Sequence, residues 1–271
     1  STLFPYTTFF RSSIVVNTTE TGETITKLMG DIELRDVTFG YDRSQPPLIS
    51  HLSLHIKAGE QIAFVGRSGC GKSTVVMLIA GLYEPWEGEV LIDGKPVSQI
   101  DRMTLTGSLG FVGQDITLFE GTVADNIRMW DKSIEDFAMV TAAANAQLHE
   151  EIACRAGAYN SKVSKGGQNF SGGQRQRLEI ATALAKEPTL LLMDEATSAL
   201  DITTETKVME AVRNLGVTLI LIAHRMETVR PCHRIYVMDY GRLVQCGSHE
   251  ELMADRKGIY YELNKSYGPD V

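Results

Sequence analysis

Gly66-Arg67-Ser68-Gly69-Cys70-Gly71-Lys72-Ser73-Thr74 fits G-x-x-x-x-G-K-[ST] at every fixed position. Before it, Gln61-Ile62-Ala63-Phe64-Val65 is short, apolar and β-rich; after it, Val75-Val76-Met77-Leu78-Ile79-Ala80 reads as a helix stopping at Gly81. Strand, glycine-rich turn and helix are the context a phosphate-binding loop needs. The glycines let the backbone turn tightly and aim successive N–H groups at a polyphosphate, and the helix adds its positive N-terminal end. Gly66, Ser68, Gly69, Cys70, Gly71 and Thr74 make up the cradle. Lys72 is placed to reach the β- and γ-phosphates, and Ser73 to hold Mg²⁺.

Composition narrows the possibilities around this loop. A chain of 271 residues, 43% hydrophobic and 22% charged, has the balance of an ordinary globular protein with a sizeable core. Its net charge of -8 argues against a broad electrostatic footprint for nucleic acid or anionic lipid. Cys70, Cys154, Cys232 and Cys246 form no C-x-x-C pair and no zinc spacing, so free thiols in a reducing compartment are the simplest account. No apolar run approaches the roughly 18 to 20 residues that span a bilayer.

Residues 1–30 lack sustained periodicity and are rich in Ser and Thr, which reads as a tail or linker. Within them Thr2-Leu3-Phe4-Pro5-Tyr6-Thr7-Thr8-Phe9-Phe10-Arg11-Ser12 resembles a translated sequencing adapter, so residues 1–13 are expected to carry no fold information. Near-alternation over residues 32–39 and 48–56 predicts two antiparallel strands ahead of the loop. Residues 89–94 and 109–112 read as further strands, and the Ala-rich stretch 129–151 as a helix. Ser171 is placed to cap a long helix running to about residue 186, stopped by Pro188. Thr189-Leu190-Leu191-Leu192-Met193 and Thr218-Leu219-Ile220-Leu221-Ile222-Ala223 are apolar throughout, as strands buried on both faces of a parallel sheet are. A hairpin around Asp239-Tyr240-Gly241 and a capping box from Ser248 to Glu251 close the chain.

Asp194 ends the first of those apolar strands, where the carboxyl end opens on a ligand crevice, and it suits a Mg²⁺-binding carboxylate. Glu195, next in line, is the candidate general base for an attacking water. A phosphate loop with such a strand makes an NTPase.

Further motifs narrow the class. Phe170-Ser171-Gly172-Gly173-Gln174-Arg175-Gln176-Arg177 lies upstream of Asp194-Glu195, and Ser198-Ala199-Leu200-Asp201 and His224 lie downstream. Together with Gln114 and Tyr41, these resemble the nucleotide-binding domain of ATP-binding cassette (ABC) transporters over residues 31–271. The resemblance implies an α/β fold: a P-loop NTPase with a parallel-sheet RecA-like core, an N-terminal antiparallel β subdomain and an inserted helical subdomain at about 115–188. It implies ATP and Mg²⁺ as ligands. Tyr41 would stack on adenine, Gln114 would touch Mg²⁺ and water, and Ser171, Gly172, Gly173 and Gln174 would serve the nucleotide held by the opposite subunit. Asp201 would lie at the dimer interface, and His224 would contact the γ-phosphate and orient Glu195. The expected partners are a second nucleotide-binding domain, as a homodimer, and an exporter's transmembrane domain fused upstream, with no nucleic acid. The expected location is the cytoplasmic face of the inner membrane.

Residues 114–127, from Gln114-Asp115 to Asn126-Ile127, are similar to a segment typical of exporters and rare in importers. Gly81-Leu82-Tyr83-Glu84-Pro85-Trp86, Gln168-Asn169 before the signature and Leu178-Glu179-Ile180-Ala181 resemble ATPases that export bacteriocins and ribosomal peptides. The competing reading is a non-transport ABC ATPase acting on ribosomes or DNA. This sequence, however, has one phosphate loop and one signature, with no long coiled coil between them. Two departures stand out. Phe170 replaces the usual leucine, an apolar exchange expected to alter packing rather than phosphate contact, and Lys165 stands where exporters usually carry a glutamate. Cys70 lies within the loop, so modification of its thiol is expected to block ATP binding.

Overall fold

In the computed structural model, which describes residues 16–18 and 24–267, the first elements are a small antiparallel ladder of β1 (Val16–Thr18) and β2 (Thr24–Thr26). The adapter-like stretch lies outside the described residues. The end of the stretch expected to be a linker is tied down: Lys27 Nζ donates to the carbonyls of Lys186 at 2.9 Å and Glu187 at 2.8 Å. The N–H groups of Met29, Gly30 and Asp31 all donate to the Asp93 carboxylate.

Alternation then builds the first sheet. In β3 (Ile32–Phe39) the buried Ile32 and Leu34 are followed by exposed Arg35 and Asp36 before burial resumes at Val37. Asp36, at φ 49°, marks the bulge that absorbs the extra residue and returns the apolar side chains to the core face. β4 (Ile49–Ile56) alternates from Leu52 onward, past His51 at φ 52°. From there the chain enters β5 (Gln61–Gly66) and, past the loop, α1 (Lys72–Ile79), which ends before Gly81 at φ 69°. β6 (Glu87–Ile92) and β7 (Lys95–Pro96) complete an antiparallel sheet in the order β4-β3-β6-β7.

α2 (Arg102–Ser108) leads into β8 (Leu109–Val112). The region that follows holds β9 (Gly121–Thr122), α3 (Val123–Arg128), α4 (Asp136–Asn145), α5 (His149–Ala153), β10 (Lys162–Val163) and α6 (Gly172–Leu184). The single helix expected over 129–151 is therefore broken. Met129 and Trp130 are left-handed, at φ 50° and 58°, and Asp131 turns the chain by accepting from the N–H and hydroxyl of Ser133. Gln147, at φ 56°, separates α4 from α5. Helix-favouring composition loses here to side chains that bond their own backbone.

The remaining elements are β11 (Leu190–Asp194), α7 (Ile202–Asn214), β12 (Thr218–Ile222), α8 (Met226–Val229), β13 (Arg234–Asp239), β14 (Arg242–Gly247), α9 (His249–Ala254) and α10 (Ile259–Tyr267). Their strands join β5 and β8 in a six-stranded sheet in the order β14-β13-β5-β12-β11-β8, parallel except for the β13–β14 hairpin. Every residue of β11 and β12 is buried. Alternate residues feed opposite cores: Leu191, Met193, Leu219 and Leu221 pack with the helices, while Leu190, Leu192, Ile220 and Ile222 pack with α1 and the antiparallel sheet. At about 1.5 to 3 kcal/mol per buried aliphatic side chain, two such cores clamp the sheet whose carboxyl ends carry the site.

Candidate nucleotide site

β5 delivers the chain to Gly66, whose φ of 149° and surroundings admit no side chain: a Cβ there would stand 2.2 Å from the Met238 carbonyl of β13. The loop can leave the sheet at this point only through glycine. Gly71, at φ 101°, is the N-cap of α1. Arg67, Ser68 and Gly69 are exposed. Lys72 folds back over them, its Nζ donating to the carbonyls of Gly66 at 2.9 Å and Arg67 at 3.0 Å. The first turn of α1 holds no acidic residue, so its positive end is left for an anion. Cys70 behaves differently from the residues around it. Its side chain is only 5% exposed and belongs to the core beneath the loop, with Sγ 3.8 Å from Lys72 Nζ.

Tyr41 stands beside this cradle with its ring largely exposed and its hydroxyl 2.9 Å from Thr74 Oγ1. Phe39 and Tyr83 hold it edge-on, at centroid distances of 5.4 and 5.5 Å. One face is thus presented rigidly, in the manner of a stacking platform.

The carboxyl ends of β11 and β12 supply the acids. Burial pushes the Asp194 carboxyl above its ordinary range, while a hydrogen bond from Ser73 and the Lys72 charge pull it down. A desolvated carboxylate bonded to the loop serine is a donor set that suits Mg²⁺, which is usually held by one or two carboxylates together with substrate phosphates. Past the last ladder pair, Glu195 takes a left-handed conformation at φ 53°, its N–H donating to the Ile222 carbonyl at 2.9 Å. Such strain in a non-glycine residue persists only where the surroundings enforce it. His224 Nε2 lies 2.6 Å from Glu195 Oε1, and Gln114 Nε2 donates to Glu195 Oε2 at 3.2 Å. Three widely separated motifs therefore converge on one carboxylate.

The remaining expected residues gather elsewhere. Ser171 caps α6, Oγ accepting from Gln174 N–H while Gln174 Oε1 accepts from Ser171 N–H. Gln174 Nε2 donates to Glu151 at 2.7 Å. The nearest neighbours around Gly172 and Gly173 are Ala199 and Leu200, so this turn packs on the segment leading to Asp201 and not on the phosphate loop of its own chain. Asp201 is exposed and caps α7 through Thr204 N–H; hydrogen bonds from the Thr204 side chain and then its backbone hold the carboxyl below the ordinary range. Phe170 is buried, with the Arg155 guanidinium 3.8 Å above its ring, and Lys165 is exposed.

Sequence reasoning passed over residues that knit these parts together. Gln176 is buried: Nε2 donates to the Glu195 carbonyl and Ser198 Oγ, each at 3.3 Å, and Oε1 accepts from Ala199 N–H at 2.9 Å. The signature helix thereby grips the turn after Glu195. The available signal was position: Gln176 lies on the same helix face as Gly172 and Gly173.

The ABC transporter family matches residues 49–198, more than half of the chain, from β4 through the signature to the turn after Glu195. This chain belongs to the ABC transporter family. Within the family, the domain is 41% identical over 239 residues to the ABC transporter ATP-binding protein YfiC of Bacillus subtilis, covering 88% of this chain and 39% of the relative. It is 41% identical over 241 residues to the exotoxin translocation ATP-binding protein PaxB of Pasteurella aerogenes, covering 88% and 34%. It is likewise 41% identical to the mitochondrial iron-sulfur clusters transporter atm1 of Neurospora crassa over 243 residues, covering 86% and 34%. A bacterial Atm1-family ABC exporter solved with ATP bound superposes with a TM-score of 0.84 at 37% identity, covering 89% of this chain and 42% of that one. The ABC domain thus spans about two fifths or less of these relatives. The architecture expected of it, a parallel-sheet P-loop core with an antiparallel β subdomain and helices, is the one observed. Among the described residues, no helix is long and apolar enough to cross a membrane.

Proposed function

We propose that this ABC domain is the ATP-hydrolysing motor of an exporter, working as a pair with a second copy of itself. The observation that carries the reading is Glu195, strained and held by both His224 and Gln114 at the mouth of the strand beside the phosphate loop. ATP is cradled by Gly66 to Thr74 with its adenine on Tyr41. Ser73, Asp194 and Gln114 are the residues that would hold Mg²⁺, which when bound would neutralise charge on the β- and γ-phosphates. Glu195 accepts the proton of the attacking water, and His224 fixes its orientation. A general base of this kind is worth about 10² to 10⁴ in rate, or about 2.7 to 5.4 kcal/mol of barrier.

The signature turn packs on the segment ending at Asp201 and is capped by its own residues, leaving the exposed N-terminus of α6 for a γ-phosphate held by the partner copy. Each nucleotide then lies between two subunits, so ATP favours the closed pair through contacts that exist only there. The transmembrane helices that carry cargo belong to another part of the transporter, fused upstream, which sets the domain at the cytoplasmic face of the membrane. A peptide of the bacteriocin type is the cargo we favour, on the wording of residues 81–86, 168–174 and 178–181.

The test is Glu195→Gln: incubated with ATP and Mg²⁺, it is expected to elute from size exclusion as a dimer, while the parent chain returns to monomer as ATP is consumed. A variant that stays monomeric at saturating ATP removes the shared-site reading.

A further inference from the structure

A buried carboxylate away from the phosphates ties together the turns that carry the working residues. Glu205 sits on the first turn of α7, and its side chain is 6% exposed. Its oxygens are met from separate segments. Thr197 Oγ1 donates to Oε1 at 2.7 Å from the turn that follows Glu195. Thr228 Oγ1 donates to the same oxygen at 2.7 Å from α8. The Arg225 guanidinium pairs with Oε2, and its Nη1 also donates to the Leu200 carbonyl at 2.9 Å.

Within this network Thr197, Arg225 and Leu200 neighbour residues of the nucleotide site. Thr197 follows Glu195 in the same turn, Arg225 directly follows His224, and Leu200 directly precedes Asp201. Glu195 and His224 both lie beyond the last ladder pair, Asp194 with Ile222, so sheet register alone does not hold their side chains 2.6 Å apart. Glu195 is also in a backbone conformation that needs external support. A carboxyl group buried this deeply is tolerated only when partners fill its hydrogen-bonding capacity, and here the donors are the segments that need fixing.

We propose that Glu205 is a positioning residue for hydrolysis: by holding Thr197, Arg225 and Thr228 together, its carboxylate sets the separation of Glu195 from His224 and the pose of the turn ending at Asp201. The proposal rests on the roles given above to Glu195 and His224. Glu205→Gln keeps the shape but must turn its NH₂ toward either the Arg225 guanidinium or the two threonine hydroxyls, so one arm of the network loses its acceptor. Arg225→Lys keeps the charge but cannot span Glu205 and the Leu200 carbonyl with one planar group.

The test compares the parent full chain with Glu205→Gln, Arg225→Lys and Glu195→Gln in steady-state ATP hydrolysis, in binding of a fluorescent ATP analogue, and in the ¹⁵N spectrum of the histidine rings. Small misplacements of catalytic groups can cost up to about 100-fold, and a fall in kcat of at least about tenfold is expected for Glu205→Gln and Arg225→Lys. Analogue affinity should stay within about twofold of the parent, and the His224 ring resonances should move. Should Glu205→Gln not fold, Arg225→Lys decides. Parent-level kcat with unmoved His224 resonances, in a protein where Glu195→Gln is inactive, overturns the positioning role alone. An active Glu195→Gln instead overturns the assignment of the base on which it rests. Loss of analogue affinity in step with kcat also overturns the positioning role, since the carboxylate would then be supporting the fold of the binding site.

Discussion

Glu179 offers a test in which pH reads out packing. It lies on α6, the signature helix, where it lines a groove of about 340 Å³ together with Leu109, Phe111, Phe119, Met129 and Lys186. One of its oxygens, Oε2, is buried with no hydrogen-bond partner among the described residues. Burial pushes the carboxyl up from the usual 4.5 to about 7; a hydrogen bond from the Thr117 backbone opposes this, and the nearby Asp115 adds to it. The folded protein therefore binds this proton more tightly than the unfolded chain does. The stability it contributes is complete below pH 4.5 and is lost as pH rises through about 7. Taken in full, that difference corresponds to about 3 kcal/mol. Because the groove leaves the group partly open to solvent, screening reduces it to about 1 to 2 kcal/mol. Glu179→Gln, which has no charge to desolvate, should match the parent near pH 4 and exceed it by about 1 to 2 kcal/mol at pH 8.5. Urea denaturation of both proteins across that range measures the difference. A gap that is constant with pH, or that widens toward acid, refutes the reasoning.

Other consequences are equally direct. Glu195→Gln should lower kcat for ATP hydrolysis by about 10² to 10⁴ while leaving analogue binding intact, measured by phosphate release; a variant within a factor of a few of the parent removes Glu195 as base. Gly66→Ala forces a Cβ to 2.2 Å from the Met238 carbonyl and should destabilise the fold by more than about 2 kcal/mol, read from thermal unfolding. An unchanged melting temperature would mean the loop leaves the sheet by another path. Cys70, buried under the loop, should react slowly with iodoacetamide, and the alkylated protein should fail to bind nucleotide; full affinity after quantitative modification at Cys70 contradicts the packing described.

Much of this domain was written in local pattern. The phosphate loop needs only residues that are contiguous in the chain, and the apolar runs of β11 and β12 declare burial on both faces without reference to anything else. Ser171 and Ser248 announced their helix starts because a capping box is a contact between residues three apart. The break after α3 was not legible in the same way. Ala-rich composition outweighed Asp131 and Ser133, whose effect depends on a side-chain turn that forms only when the chain is already leaving the helix. The docking of Lys27 on the end of α6 was equally invisible, since its partners are backbone carbonyls of residues far along the chain.

By itself, then, the amino-acid order determined that a glycine-rich phosphate-loop motif sits between a strand and a helix in a parallel sheet, and that the chain carries the motifs of an ABC domain. Only the tertiary structure decided that Gln114 and His224 meet on one strained glutamate, and that Gln176 and Glu205 brace the turns around it. The physical reason is range. Backbone periodicity and capping act within a few residues, whereas a buried glutamine or glutamate takes its meaning from which distant donors the folded chain brings to it.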